Sequence, residues 1–158
     1  MAEIRPLGLD DHEAVLEVYR DAVISQAAGR YSAAQIHAWA GHAAHNPEVR
    51  LALRRGYGLV SLHPAEPQRI EAFALLDPGD RLSLLYCRGS ASRQGHGRSL
   101  VLALESHAHA AGCRRLRTEA SQLSRPLLER LGWQLEAEET VLFAGEPFVR
   151  WRMIRDLL

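Results

Sequence analysis

The sequence predicts an α/β protein: a mixed, mostly antiparallel sheet with helices on both faces, in the order β-α-α-β-β-β-α-β-α-β-β. Three observations carry that expectation. Two helix-start signals open the chain, three short strands joined by tight turns follow Gly56, and helix and strand patterns alternate after Gly95 up to a closing hairpin.

Glu3 to Pro6 reads as a short opening strand. Asp10-Asp11-His12-Glu13 has the spacing of a capping box, and Val15, Leu16 and Tyr19 follow at helical intervals. A second box, Ser32-Ala33-Ala34-Gln35, opens a helix carrying Ile36 and Trp39. Asn46-Pro47 closes that region, with room for one further helical turn. Tyr57 to Leu62, Ile70 to Leu76 and Leu82 to Cys87 form an antiparallel meander turning at Pro64 to Gln68 and at Asp77-Pro78-Gly79-Asp80. A long helix from Gly97 to Ala111 stops at Gly112. Leu116 to Ala120 is a strand and Arg125 to Leu131 a helix ending at Gly132. Leu135 to Phe143 and Phe148 to Ile154 make a hairpin around Ala144-Gly145-Glu146.

At 158 residues, with no repeat or linker, residues 1–158 are expected to form a single domain. An apolar fraction of 47% and a charged fraction of 24% are those of a globular protein. Nineteen basic and nineteen acidic residues cancel, so no global field draws nucleic acid or an anionic membrane. The N-terminal stretch lacks a signal-peptide pattern, and no apolar run approaches the ~20 residues of a membrane span, so a cytoplasmic protein is expected. Cys87 and Cys113 form neither a metal pattern nor a disulfide framework. The spacings of His37, His42 and His45 give no shared helical face, and His107 and His109 point different ways, so no metal is expected.

The stretch from Leu84 to Leu100 carries the chemistry. A strand runs into a basic loop, Arg88-Gly89-Ser90-Ala91-Ser92-Arg93-Gln94-Gly95-His96-Gly97-Arg98-Ser99, and the loop runs directly into a helix. The first amides of a helix lack intrahelical acceptors and stand at the positive end of its dipole. Gly95 and Gly97 let a phosphate approach the backbone, Arg93 and Arg98 add cationic partners, and Ser99 adds a hydroxyl. A dinucleotide fingerprint needs a glycine where Leu100 stands, and a nucleotide P-loop needs Gly-Lys-Ser/Thr, which does not occur.

In this stretch the chain resembles the GNAT acetyltransferase superfamily. Gly95-His96-Gly97 matches the glycine half of that family's Arg/Gln-x-x-Gly-x-Gly/Ala signature, with Ser92 at the leading position, and Tyr86-Cys87 matches its strand end. Leu128-Glu129-Arg130-Leu131-Gly132-Trp133 resembles the family's Tyr-Glu-Arg-x-Gly-Phe block, with Leu128 in place of Tyr. The segment Tyr31 to Trp39 is similar to one in a small bacterial subgroup of the family.

The resemblance implies an N-acetyltransferase using acetyl-coenzyme A as co-substrate, by direct attack of an amine in a ternary complex. It also implies that the backbone around Cys87 and Arg88 pairs with the pantetheine arm. The amides of Gln94, Gly95, His96, Gly97, Arg98 and Ser99 would hold the pyrophosphate, with Arg93 beside them. Ser121 stands where many members place a cofactor-contacting Asn, and Arg130 meets either the adenosine end or solvent. Tyr31 and Trp39 fall where members line the acceptor cleft. The usual strand base is missing at Arg81-Leu82-Ser83, which leaves Glu119, Asp80 or a water chain to take the amine proton. Tyr86, Ser121, Ser124 or water would supply the acid that Leu128 cannot. The acceptor is expected to be a small-molecule or protein amine, and the closing hairpin offers a homodimer edge. The alternative is a non-catalytic acyl-CoA sensor on the same fold.

Overall fold

The structure is a computed structural model that describes residues 2–158. Strand β1 (Ile4–Pro6) leads into three helices, α1 (His12–Gln26), α2 (Ala33–His45) and α3 (Glu48–Arg55). The meander is β2 (Tyr57–Leu62), β3 (Ile70–Leu76) and β4 (Arg81–Cys87). Then come α4 (His96–Ala110), β5 (Arg115–Ala120), α5 (Arg125–Arg130), β6 (Gln134–Phe143) and β7 (Glu146–Asp156). The seven strands form one sheet in the order β1-β2-β3-β4-β5-β7-β6, antiparallel at every pairing except β4 with β5.

The element order is the expected one with one enlargement. The turn expected after Asn46-Pro47 is the eight-residue helix α3, whose first turn Asn46 caps by accepting from the Glu48 amide at 2.9 Å. The first capping box also moves. Asp11 does not cap α1 with its side chain; its carboxylate accepts from the Gly8 amide at 2.8 Å and from Arg5 at 2.7 Å, shaping a 3-10 turn at Leu9–Asp11. The second box forms as read. Ser32 Oγ accepts from the Gln35 amide at 3.1 Å, and Gln35 Oε1 accepts from the Ser32 amide at 2.8 Å.

Alternation along β2 and β3 builds two cores. Val60, Leu62, Phe73 and Leu75 pack under α1 and α2 with Val18, Tyr19 and Trp39. Leu59, Ala72, Ala74 and Leu76 face the other way, onto Leu100, Leu104 and Leu128 of α4 and α5. Among the described residues no helix is long and apolar enough to cross a membrane.

Candidate active site

Parallel strands β4 and β5 pair only at their starts, Arg81 with Arg117 and Leu82 with Thr118. The Arg117 amide donates to Asp80 O at 2.9 Å, and Thr118 Oγ1 donates to Leu82 O at 2.6 Å. Beyond these contacts the two strands share no rung. At the same point β4 carries a bulge, since Leu84 pairs with Leu75 but Leu82 with Leu76, leaving Ser83 extra. Bulges re-aim a strand. After Ser83, Leu84 and Tyr86 turn toward α1 and α2, while Leu85 and Cys87 join the α4 side.

The parted strands enclose a cleft of about 1130 Å³ that runs from the α2 and β7 side to the start of α4. The Arg88 amide donates to Glu71 O at 2.8 Å, so ladder alternation turns the main-chain groups of Leu85 and Cys87 away from β3 and into the opening. One of them already has a partner. Gln26 Nε2 donates to Cys87 O at 2.6 Å, across 61 residues of sequence. The Cys87 thiol is pushed up to about 11 by burial and by the nearby carboxylates of Glu71 and Asp21, so it stays a thiol at neutral pH.

The loop after β4 is fastened before it turns. Arg88 Nε donates to Ile70 O at 2.9 Å, which directs this guanidinium onto β3. The Gly89 amide donates to Asp21 Oδ2 at 2.9 Å, and a Cβ on Gly89 would collide with Ser25. Arg93 and Gly95 then adopt the left-handed region, with φ of 62° and 90°. For an arginine this costs about 1 kcal/mol, strain of the kind that concentrates at functional turns. No atom lies within 4 Å of a Cβ built on Gly95.

The turn presents three amides. Those of His96, Gly97 and Arg98 precede the first intrahelical donor of α4, and the Ser99 amide is already bonded to Gly95 O at 3.0 Å. Arg93, Gln94 and Arg98 are exposed around them, and Ser99 is half-buried. The His96 side chain points inward, with Nδ1 2.6 Å from Ser61 Oγ, and burial lowers its pKa. Gly97 has a packing role, because a Cβ there would meet Leu127 Cδ2 at 3.0 Å. The two glycines of the motif thus do different things: Gly95 leaves room outside, and Gly97 lets α4 approach α5.

Ser121 and Ser124 are engaged in starting α5. Ser121 Oγ accepts from the amides of Leu123 at 3.1 Å and Ser124 at 3.3 Å, and Ser124 Oγ accepts from the Ser121 amide at 3.0 Å. Arg130 is exposed at the end of α5 and lines the cleft. Leu128 is fully buried between α4 and the sheet, also at the cleft wall.

The opposite wall is aromatic. Tyr31 lies edge-on to Trp39 at 5.2 Å, and Phe148 packs against both at 5.9 and 6.1 Å. Trp39 is buried, and its Nε1 donates to Tyr86 Oη at 3.1 Å, while Tyr19 Oη donates to the Trp39 carbonyl at 3.0 Å. Burial pushes the Tyr86 phenol up to about 12. Tyr31 Oη accepts from the Gln122 amide at 2.9 Å, tying the α1–α2 connection to the start of α5.

Glu119 lies where the strands part. Arg81 grips its carboxylate through Nη2 at 2.7 Å and Nε at 3.0 Å to Oε1, and Nε also reaches Oε2 at 3.3 Å. Asp80 is exposed, pairs with Arg117 at 3.3 Å and does not line the cleft. His42 does line it, packed on Phe143 at 4.3 Å with Nε2 3.4 Å from Glu48. Among the described residues no three His, Cys, Asp or Glu side chains converge as a metal site.

Gln26, Arg30, Arg81, His42 and Phe148 are among the cleft residues to which the sequence reading assigns no binding or catalytic role. Arg81 stood in view only as the place where a base was missing. The Gln26 contact spans too much sequence to leave any local signal.

The cleft thus lies between parted parallel strands and ends at a helix start with open amides. The sequence profile of the acetyltransferase (GNAT) domain matches residues 27–155, and the chain belongs to that family of acyltransferase enzymes. Similar folds include a GCN5-related N-acetyltransferase from Rhodopseudomonas palustris, 24% identical, with TM-score 0.92 over 99% of this chain and 96% of that one. PaiA N-acetyltransferase from Thermoplasma acidophilum, solved with coenzyme A, is 18% identical with TM-score 0.77 over 99% of both chains. A phosphinothricin acetyltransferase from Sinorhizobium meliloti, solved with acetyl-CoA, is 19% identical with TM-score 0.68 over 99% of this chain and 88% of that one. No curated protein matches the sequence.

Proposed function

We propose that the protein is an acetyl-coenzyme A-dependent N-acetyltransferase that acetylates an amine by direct attack within a ternary complex. The observation that carries this reading is the continuity of the opening between β4 and β5 with the Gly95 turn. One groove offers strand-edge groups for a pantetheine arm and, at its end, three helix amides flanked by Arg93 and Arg98 for a pyrophosphate. Gly95 fits that group because the space beyond it is open. Acetyl-coenzyme A supplies an activated acetyl thioester. Two of the solved relatives bind the same cofactor in its free or acetylated form.

The state of the thiol and of the one buried serine–histidine pair supports direct attack. The Cys87 thiol is held protonated, and Ser61, the partner of His96, is fully buried at 0% exposure and does not line the cleft. Neither provides a nucleophile to carry the acetyl group. The amine nitrogen therefore bonds the acetyl carbon as the carbon–sulfur bond breaks, the nitrogen loses a proton and the departing sulfur gains one.

We assign the amine proton to Glu119 through a bridging water, since Arg81 already occupies both carboxylate oxygens. Tyr86 is assigned a hydrogen bond to the leaving sulfur. At about 12 its phenol lies roughly three units above an ordinary thiol, so full proton transfer from it is uphill. The alternative, a non-catalytic acyl-CoA sensor, draws on the same Arg81–Glu119 pair, which leaves the cleft without a free carboxylate base. Initial rates with acetyl-CoA and amine both varied test the reading. Intersecting reciprocal plots are expected, and parallel plots would show an acyl-enzyme instead.

A further inference from the structure

The acceptor end of the cleft carries a charge signature, and its interpretation rests on the transferase reading above. Every basic residue of the chain is an arginine, and the sequence contains no lysine. Seven arginines and three acidic residues line the cleft, although the protein as a whole is neutral. Two of the three are held by arginines: Asp77 pairs with Arg55 at 2.9 Å and Glu119 with Arg81 at 2.7 Å, while the exposed Glu48 lies 3.4 Å from His42, a pair that is ionic only when the imidazole is protonated. Arg150 is held by Glu139 at 2.5 Å.

Four lining guanidiniums have no carboxylate partner among the described residues: Arg30, Arg93, Arg98 and Arg130. Arg93 and Arg98 flank the Gly95 turn and Arg130 ends α5, and the transferase reading assigns these three to the phosphorylated carrier. Arg30 stands apart, on the α1–α2 connection next to Tyr31, whose ring belongs to the aromatic wall with Trp39 and Phe148. Its carbonyl accepts from Gln122 Nε2 at 3.3 Å, which anchors the residue to the β5–α5 turn. Burial raises the Tyr31 phenol above its ordinary value, and the neighbouring positive charge of Arg30 opposes that shift.

We propose that the acetyl acceptor is an amine that also bears an anionic group, an α-amino acid with an apolar or aromatic body, and that Arg30 binds its carboxylate. A guanidinium fork suits a carboxylate better than any other side chain in the cleft, and the aromatic wall covers an apolar body. The converse is equally specific. With Asp77 and Glu119 already paired with arginines and four further arginines unpaired among the described residues, a second ammonium group meets mainly positive charge, so polyamines and strongly basic peptides are disfavoured.

The test uses matched acceptors: an apolar α-amino acid, its carboxamide, the amine lacking the carboxyl group, and a diamine of similar length. Release of coenzyme A thiol should give kcat/KM at least tenfold higher for the amino acid than for the carboxamide. Arg30→Ala should erase that ratio through KM, with turnover of the carboxamide and acetyl-CoA affinity unchanged, and Arg30→Lys should restore part of it. Calorimetric binding of the same compounds to the coenzyme A-saturated protein reads the preference without turnover. If no amine is acetylated yet the amino acid binds more tightly through Arg30, the transfer reading fails and the anion site stands. Equal binding of amino acid and carboxamide, preference for the diamine, or a ratio that survives Arg30→Ala would overturn the proposal.

Discussion

Arg81 and Glu119 face each other across the last shared rung of β4 and β5, joined by contacts of 2.7 and 3.0 Å to one carboxylate oxygen. The pair spans the point where the sheet opens, and both residues line the cleft.

Glu119→Gln keeps the shape and removes the charge. If Glu119 relays the amine proton, kcat should fall about 10²- to 10⁴-fold while acetyl-CoA affinity holds. The half-buried Arg81 loses its counterion, and stability should drop by about 1 kcal/mol. Stopped-flow turnover read beside a denaturant titration separates the two effects, and unchanged turnover would remove Glu119 from the chemistry.

Gly95 and Gly97 should behave as different residues. Gly95→Ala adds a methyl group toward the open side of the turn and should weaken acetyl-CoA binding at least tenfold. The loss of the left-handed conformation should cost about 1 kcal/mol in stability. Gly97→Ala pushes on Leu127 and should act first on stability, through the α4–α5 contact. Thermal melts and calorimetry on the two variants would contradict this division if both lost affinity with unchanged melting.

Gln26 holds the Cys87 carbonyl at the edge of β4 that faces the opening. Gln26→Ala releases that carbonyl and loosens α1 from the strand. The expected result is a several-fold change in the dissociation constant of acetyl-CoA, with the acceptor KM unaffected. A Gln26→Ala protein with wild-type cofactor affinity would mean that this contact is only architectural.

Tyr86 supplies a pH signature. Its phenol is raised by burial to about 12 in the folded protein, against about 10 in an unfolded chain. Below pH 10 both states carry the proton. Between about 10 and 12 only the folded state keeps it, so stability declines as pH rises through that window. Tyr86→Phe should flatten that part of the profile in denaturant titrations. An unchanged slope would place the titration elsewhere, with the buried Tyr19 the first candidate because burial raises its phenol as well.

Much of the fold is legible in the sequence because it is written locally. Ser32 and Gln35 close a capping box on their own backbone, Gly112 ends α4 at φ 89°, and Gly56 precedes the meander. The Gly95 turn is legible for the same reason, since its geometry depends on a few adjacent residues. What escaped the sequence lies between distant elements. Nothing in Asp10-Asp11-His12-Glu13 shows that Asp11 will turn back to Gly8 and Arg5. Only the packing of α5 beside α4 reveals that a side chain on Gly97 would meet Leu127, and that Leu128 is buried in the core while also lining the cleft wall. Arg81 finds Glu119 only after a parallel pairing forms across 38 residues.

The measurement that tests the central claim most directly is the stoichiometry of transfer. The wild-type protein would be incubated with acetyl-CoA and an amino-acid acceptor, with free thiol followed by colorimetry and the acetylated amine by mass spectrometry. The account predicts amine-dependent release of coenzyme A thiol matched one for one by N-acetylated product, and both lost together in Gly95→Ala at low acetyl-CoA. Tight acetyl-CoA binding with no amine-dependent thiol release across the acceptor panel would contradict it, and would leave a sensor on an acetyltransferase fold.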